Sequence, residues 1–452
     1  MYPTETRKEK LKLMLAVLWP ILVTQIGYNA MNVVDTMMSG RAGTDDLAGV
    51  AVGSSLWMPV MTGIAGVLTV TPIVGQMLGK RNNKEDITHF VMQTVYLAVA
   101  LSLLIVLAGI FLVEPLLTIM GLQENVHTIA KHYLIGLSLG IVAFFAASVL
   151  RYFFDAHGYT RVAMLIVIIA LPINVLFNYL LIFGKFGFPR LGGVGAGYTT
   201  ALTYWIIFIA SVVMTFKIKT IRPYALFTSW VKPSWKKWEE QLSIGLPIGL
   251  SIFFEASIFS VVTLFMGAMF STVIVAAHQA AINFASLLFM IPLSISLALT
   301  IFVAYEVGAG RFKDAKQYAR YGVGGALFFS VVICVFVFFT RDQVALLYSE
   351  NPDVIALIVQ FIVFAIFYQF SDAAQAALQG VLRGYKDVTL PFFIAFVSYW
   401  IIGIPSGWLL ARFTEWGPFG FWIGIIIGLT CASIGFALRL RVIDRRLSKQ
   451  HS

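Results

Sequence analysis

Tyr368-Gln-Phe-Ser-Asp-Ala-Ala-Gln-Ala-Ala-Leu-Gln379 lies inside an apolar run from about residue 352 to residue 382. A run of that length crosses hydrocarbon as a helix at ~1.5 Å per residue. Asp372 sits well inside it. A charge at that depth is costly unless it faces a protein interior or a wet cavity, which makes it a functional candidate. Tyr368, Gln375 and Gln379 stand at i−4, i+3 and i+7 from Asp372, so the four share one helical face.

The rest of the 452 residues reads the same way. The chain is 59% hydrophobic and 12% charged, with mean hydropathy +0.86. A soluble domain carries about 25% charged residues. No strand-like alternation of the outer-membrane barrel kind is present. Cys334 and Cys431 both lie in apolar runs and offer no disulfide framework. The six histidines show no ligand spacing on a helix. The charged stretch from Met1 to Lys12 leads into a run longer than a signal-peptide core, so no signal peptide is expected. No phosphate-binding Gly-x-x-x-x-Gly-Lys-[Ser/Thr] occurs.

Twelve spans are expected, at about 12–38, 46–73, 89–113, 126–150, 161–183, 194–217, 240–268, 274–304, 317–340, 353–382, 388–411 and 418–440. Of the 32 Lys and Arg residues, 26 fall in the two termini and every second loop, and 5 in the alternate loops. The net charge of +10 is therefore a topology signal, with both termini expected in the cytoplasm, rather than a nucleic-acid footprint. The longest basic loop, 217–237, divides six spans from six.

The halves echo each other. Pro20 pairs with Pro247, Gly158-Tyr159 with Gly384-Tyr385, and Gly192-Gly-Val-Gly195 with Gly417-Pro-Phe-Gly420. Gln76 and Arg81 echo Glu306 and Arg311 at the same offset. The fold class expected is an all-α polytopic membrane protein, with twelve transmembrane helices in two six-helix lobes related by a pseudo-twofold along the membrane normal. The lobes are expected at 1–217 and 240–452, with a basic cytoplasmic linker at 218–239. Transporters bind their cargo between such repeats.

Few acids are placed to do chemistry. Asp35 lies near the outer end of the first span, Glu255 in the middle of the seventh and Asp372 in the tenth. Glu114, Asp155 and Glu306 sit at span ends. In the fifth span, Leu171-Pro-Ile-Asn-Val-Leu-Phe-Asn178 puts Asn174 and Asn178 on one face, and Pro172 frees a carbonyl one turn back. Thr199 and Thr200 can add a hydroxyl. Carboxylate, amide and carbonyl oxygens are the ligands hard cations take. Phe253, Phe254 and Met290 suit an adaptable pocket.

These residues together resemble the multidrug and toxic compound extrusion (MATE) family, in its bacterial NorM-type branch. The resemblance covers essentially the whole chain. It rests on Pro20, Gln25 and Val34-Asp-Thr-Met-Met-Ser-Gly40, on Leu171-Pro-Ile-Asn174-x-x-x-Asn178, on Gly245-x-Pro247 with Glu255, and on Asp372 with Gln379-Gly380-x-x-Arg383-Gly384. It implies antiport: sodium ions or protons enter while amphipathic, often cationic drugs leave, by alternating access of two lobes. It makes Asp35 the first-lobe cation carboxylate beside Asn174, Asn178 and a threonine. It makes Glu255 and Asp372, with Tyr368, the second-lobe site. Gln25, Phe253, Gln375, Gln379 and Met290 become candidates for lining the drug cavity. Some relatives have an aspartate where Asn178 stands, so the first lobe here has one carboxylate fewer. Sodium is the favoured coupling ion, because acids and amides supply oxygens and no intramembrane relay histidine is evident. A plasma-membrane monomer without cofactor, nucleic-acid partner or enzymatic activity is expected.

Three rivals remain. A lipid-linked saccharide flippase fits poorly with acidic mid-membrane groups. A major-facilitator carrier would show an aspartate-containing Gly-x-x-x-Asp-Arg motif, where this chain has Gly75-Gln-Met-Leu-Gly79-Lys-Arg. A membrane enzyme would need clustered His or Asp near one surface.

Overall fold

In hydrocarbon every backbone N–H and C=O needs an internal partner, so apolar runs of this length fold as helices. The computed structural model describes residues 1–228 and 230–451, and among them all regular structure is helical. In order these are α1 (Arg7–Ala42), α2 (Thr44–Val67), α3 (Thr71–Gly79), α4 (Lys84–Ile119), α5 (Glu124–Ser138), α6 (Ile141–Ala156), α7 (Thr160–Phe183) and α8 (Gly193–Lys217). There follow α9 (Trp235–Met269), α10 (Thr272–Gly308), α11 (Phe312–Tyr348), α12 (Pro352–Gly384), α13 (Thr389–Phe396), α14 (Ile404–Phe413) and α15 (Phe419–Gln450).

Eleven segments among the described residues are long and apolar enough to span a membrane. The pair α5–α6, bent by 51°, makes a twelfth. The twelve expected spans are all present, with three internal irregularities. The second span divides into α2 and α3 ahead of Pro72. The fourth bends at α5–α6. The eleventh contains a π-helical stretch, Val397–Gly403, between α13 and α14. A π-turn shifts the helical register by one residue, and such turns are frequent at functional sites.

The chain folds as two compact units. The first comprises Trp19–Gly249 and Met1, and the second Tyr2–Leu18 and Leu250–Ser452. The first unit's core gathers Trp57, Phe90, Phe145, Phe153, Phe154 and Tyr204. The second gathers Phe361, Tyr399, Phe421, Trp422 and Phe436. These units are cut at different places from the lobes read off the spans. Residues 2–18 belong with the second unit, where Lys10, fully buried, binds Asp314 at 2.9 Å and the Thr4 carbonyl at 2.9 Å. The chain passes from one unit to the other within α1 at Leu18–Trp19 and within α9 at Gly249–Leu250. Each passage lies within three residues of a proline, Pro20 and Pro247. Proline removes one hydrogen bond of the helical ladder and bends it.

The segment 218–239 belongs to the first unit rather than serving as a free connection. The buried Gln93 amide on α4 donates to the Lys232 carbonyl (2.6 Å) and accepts from the Ser234 N–H (2.8 Å) and Trp238 Nε1 (3.1 Å). Thr88 donates to the Tyr224 carbonyl at 2.6 Å. His157, capping α6, pairs its Nε2 with the Tyr224 hydroxyl at 2.9 Å and its Nδ1 with the Phe153 carbonyl at 2.9 Å.

Candidate functional site

In the first unit, α1, α7 and α8 bring Asp35 against three of its expected companions. The carboxylate is buried. Its Oδ1 accepts from Asn178 Nδ2 at 2.6 Å and its Oδ2 from the Thr200 hydroxyl at 2.9 Å. Thr200 also reaches the Ala196 carbonyl at 2.8 Å, so its single proton is shared. Asn178 Nδ2 lies 3.2 Å from Asn174 Oδ1, the one-turn pairing that their spacing implies. Asn174 in turn donates to Thr203 Oγ1 at 3.2 Å, and Thr203 donates to the Thr199 carbonyl at 2.8 Å.

Ser39 Oγ, Asn178 Oδ1 and Thr199 Oγ1 are buried on these same three helices without a hydrogen-bond partner. Buried polar atoms are almost always satisfied, so these three orphans on the helices that carry Asp35, Asn178 and Thr200 need an explanation. Carboxylate, amide and hydroxyl oxygens are the donor set that a small hard cation takes. Among the described residues no group of three or more His, Cys, Asp or Glu is placed to hold a transition metal.

In the second unit, one amide bridges two acids. Gln375 Nε2 donates to Asp372 Oδ1 at 2.7 Å and to Glu255 Oε1 at 2.8 Å. The Tyr399 hydroxyl donates to Gln375 Oε1 at 2.9 Å. Tyr368 stands one turn before Asp372 on the same face of α12. Asp372, Gln375, Tyr368 and Gln379 are all buried, as one shared helical face requires. Two carboxylates held through one nitrogen repel when both are ionised, and a cation or a proton relieves that repulsion.

The remaining expected residues lie elsewhere. Gln25 on α1 is partly buried. Phe253 is exposed and meets Phe254 edge-on at 5.6 Å, and Phe254 packs on Phe396 and Trp400. Met290 is partly buried on α10, where its carbonyl accepts from Ser294. Spacing missed Thr203, Tyr399 and His278. Thr203 is one turn from both Thr199 and Thr200, a signal that was available. Tyr399 is turned to Gln375 from the π-helical stretch, where 3.6-residue counting fails. His278 is fully buried on α10.

Residues 20–180 and 247–409 match the MatE family. The chain is 51% identical to a probable multidrug resistance protein NorM of Halalkalibacterium halodurans, over 99% of this chain and 98% of that protein. It is 49% identical to the Bacillus subtilis protein of the same description, over the full length of both. Among solved structures, an outward-facing multidrug resistance MATE family transporter superposes with TM-score 0.87, covering 99% of this chain and 100% of that one, at 18% identity. The eukaryotic MATE transporter AtDTX14 gives 0.86, covering 98% and 99%, at 20% identity. The fold is thus shared far beyond sequence likeness. The two matched segments begin at Pro20 and Pro247, the pair at which the halves of the sequence echo each other, and the chain belongs to the MatE family.

Proposed function

We propose that the protein exports amphipathic, mostly cationic organic compounds across the plasma membrane in exchange for an inward-moving cation, with sodium favoured over the proton. The observation that carries this reading is the Asp35 site, a buried carboxylate held by the Asn178 amide and the Thr200 hydroxyl, with Asn174 behind Asn178. Asp35, Asn174, Asn178, Thr199 and Thr200 bind the ion as transported substrate. Glu255, Asp372 and Tyr368 form the second cationic station, open to the ion or to the cationic drug. Gln25, Phe253, Gln375, Gln379 and Met290 line the path of the drug. The distribution of basic residues supports cytoplasmic termini, and the repeat supports alternating access of two six-helix lobes. The relatives named as multidrug resistance proteins support this reading.

Purified protein in liposomes, loaded with the fluorescent planar cation ethidium, tests it. Sodium and pH gradients are imposed separately. A sodium gradient at matched pH is expected to drive ethidium movement. Asp35→Asn and Asp372→Asn are each expected to abolish it in folded protein. Drive by pH alone would move the coupling to protons. Indifference of the folded wild type to both gradients would overturn the antiporter.

A further inference from the structure

His278 sits in the second turn of α10, fully buried, and both its ring nitrogens are committed. Trp422 of α15 points its Nε1–H at His278 Nδ1, 2.9 Å away. An indole nitrogen only donates, so Nδ1 accepts. On the other side, Nε2 lies 3.1 Å from Thr263 Oγ1 of α9. Thr263 gives its own proton to the Phe259 carbonyl at 2.8 Å, so its oxygen is left to accept from Nε2–H. Gln279 Nε2 donates to the same oxygen at 3.3 Å. The imidazole is therefore neutral, in one tautomer, with the hydrogen bonds of three helices meeting on it.

One partner of this ring, and the residue that holds the other, bear on Tyr368. Trp422 meets the Tyr368 ring edge-on at 5.8 Å and 79°. Phe259, whose carbonyl closes the Thr263 bond, meets it at 5.7 Å and 82°. The phenol is held between these two rings, one helical turn before Asp372 on the same buried face of α12. Aromatic edges at these separations fix orientation as well as area.

We propose that His278 is a positioning residue for the Asp372–Gln375–Glu255 site, holding Trp422 and through it the Tyr368 phenol one turn before Asp372. The inference rests on the reading of that acid pair as a cationic station. It makes the geometry of the second-unit site depend on a side chain that touches none of its three members.

The test uses full-length protein in liposomes with ethidium and a sodium gradient, or the pH gradient if that one drives transport. The readout is the half-saturating concentration of the driving ion, alongside folded yield. His278→Leu is expected to raise half-saturation about tenfold, because it strands the Trp422 N–H. His278→Asn keeps an acceptor in the place of Nδ1 and is expected to restore the wild-type value. His278→Gln, which imitates Nε2 alone, is expected to behave as Leu does. In a Tyr368→Phe background, His278→Leu is expected to add nothing, since the hydroxyl it positions is gone.

An unchanged half-saturation in folded His278→Leu overturns the proposal. So does full additivity with Tyr368→Phe, which marks a histidine that only stabilises the fold. Should the Leu variant not fold, equal behaviour of Asn and Gln overturns it just as well. If Asp372→Asn transports normally, the cationic-station reading is what fails. If Asp372→Asn is inactive while His278→Leu matches wild type, only the positioning role falls.

Discussion

Gln375 satisfies three partners with one amide. Its nitrogen serves both acids and its oxygen takes the Tyr399 hydroxyl. Which way the amide faces is thus set by Tyr399, because a hydroxyl donating to Oε1 leaves only the nitrogen for the carboxylates. Tyr399→Phe removes that donor and leaves a buried oxygen unpaired, at a cost of roughly 1–3 kcal/mol. We expect a lower denaturation midpoint in detergent for this variant. A midpoint equal to wild type would mean that Gln375 does not depend on Tyr399. Helical spacing made Gln375 legible in the sequence, since it lies at i+3 from Asp372. Tyr399 was not legible, because a seven-residue π-helical stretch in an apolar run leaves no periodic mark. His278 has no ligand three or four residues away to mark it, and its partner Trp422 is 144 positions along the chain.

At the scale of helices, α10 and α12 pack without a side chain between them at Gly380. A Cβ there would lie 2.4 Å from the Ser296 carbonyl oxygen and 2.6 Å from its Oγ, closer than the 3.0 Å that real Cβ atoms respect. Thr300 of α10 uses the same approach to donate to the Gly380 carbonyl at 2.8 Å. Gly380→Ala must push the two helices apart, an overpacking typically worth about 1–3 kcal/mol. Asp372 and Gln375 ride on α12, so transport is expected to fall with stability. Gly324→Ala on α11, where a Cβ meets nothing within 4 Å, is the control. It is expected to leave the thermal midpoint unchanged or to raise it, since alanine is the better helix former. Equal midpoints for Gly380→Ala and wild type would refute the packing argument. The helices themselves were readable from apolar length and basic flanks, and all twelve expected spans stand. The breaks inside the second, fourth and eleventh were not, because each run keeps its hydropathy through the irregularity.

For the whole molecule, stability against protons has an identifiable contributor outside the spans. Burial holds His157 down at about 4, and the Tyr224 hydroxyl that donates to it is pushed up to about 12 by its own burial. An unfolded histidine titrates near 6.5. Below that pH the unfolded chain takes up a proton that the folded chain refuses. His157 therefore contributes stability at neutral pH that is lost as pH falls from about 6.5 towards 4, at up to about 1.4 kcal/mol per pH unit. The thermal midpoint of wild type is expected to drop more between pH 7 and pH 5 than that of His157→Gln. Parallel slopes would remove His157 as the cause. The repeat of six spans was legible from Pro20, Pro247 and the glycine echoes. The placing of residues 2–18 with the second unit was not, because Lys10 reads as one more basic residue of a charged terminus until Asp314 is found beside it.

That placing bears on how the coding sequence can be divided. Severing the polypeptide in the basic segment near its midpoint does not yield two complete halves. The amino-terminal fragment would carry off residues 2–18, which the other unit needs, and would leave behind the stretch up to Gly249, which its own unit needs. Fragments expressed as separate genes are therefore expected to fold fully only when expressed together, each supplying the other with a missing piece.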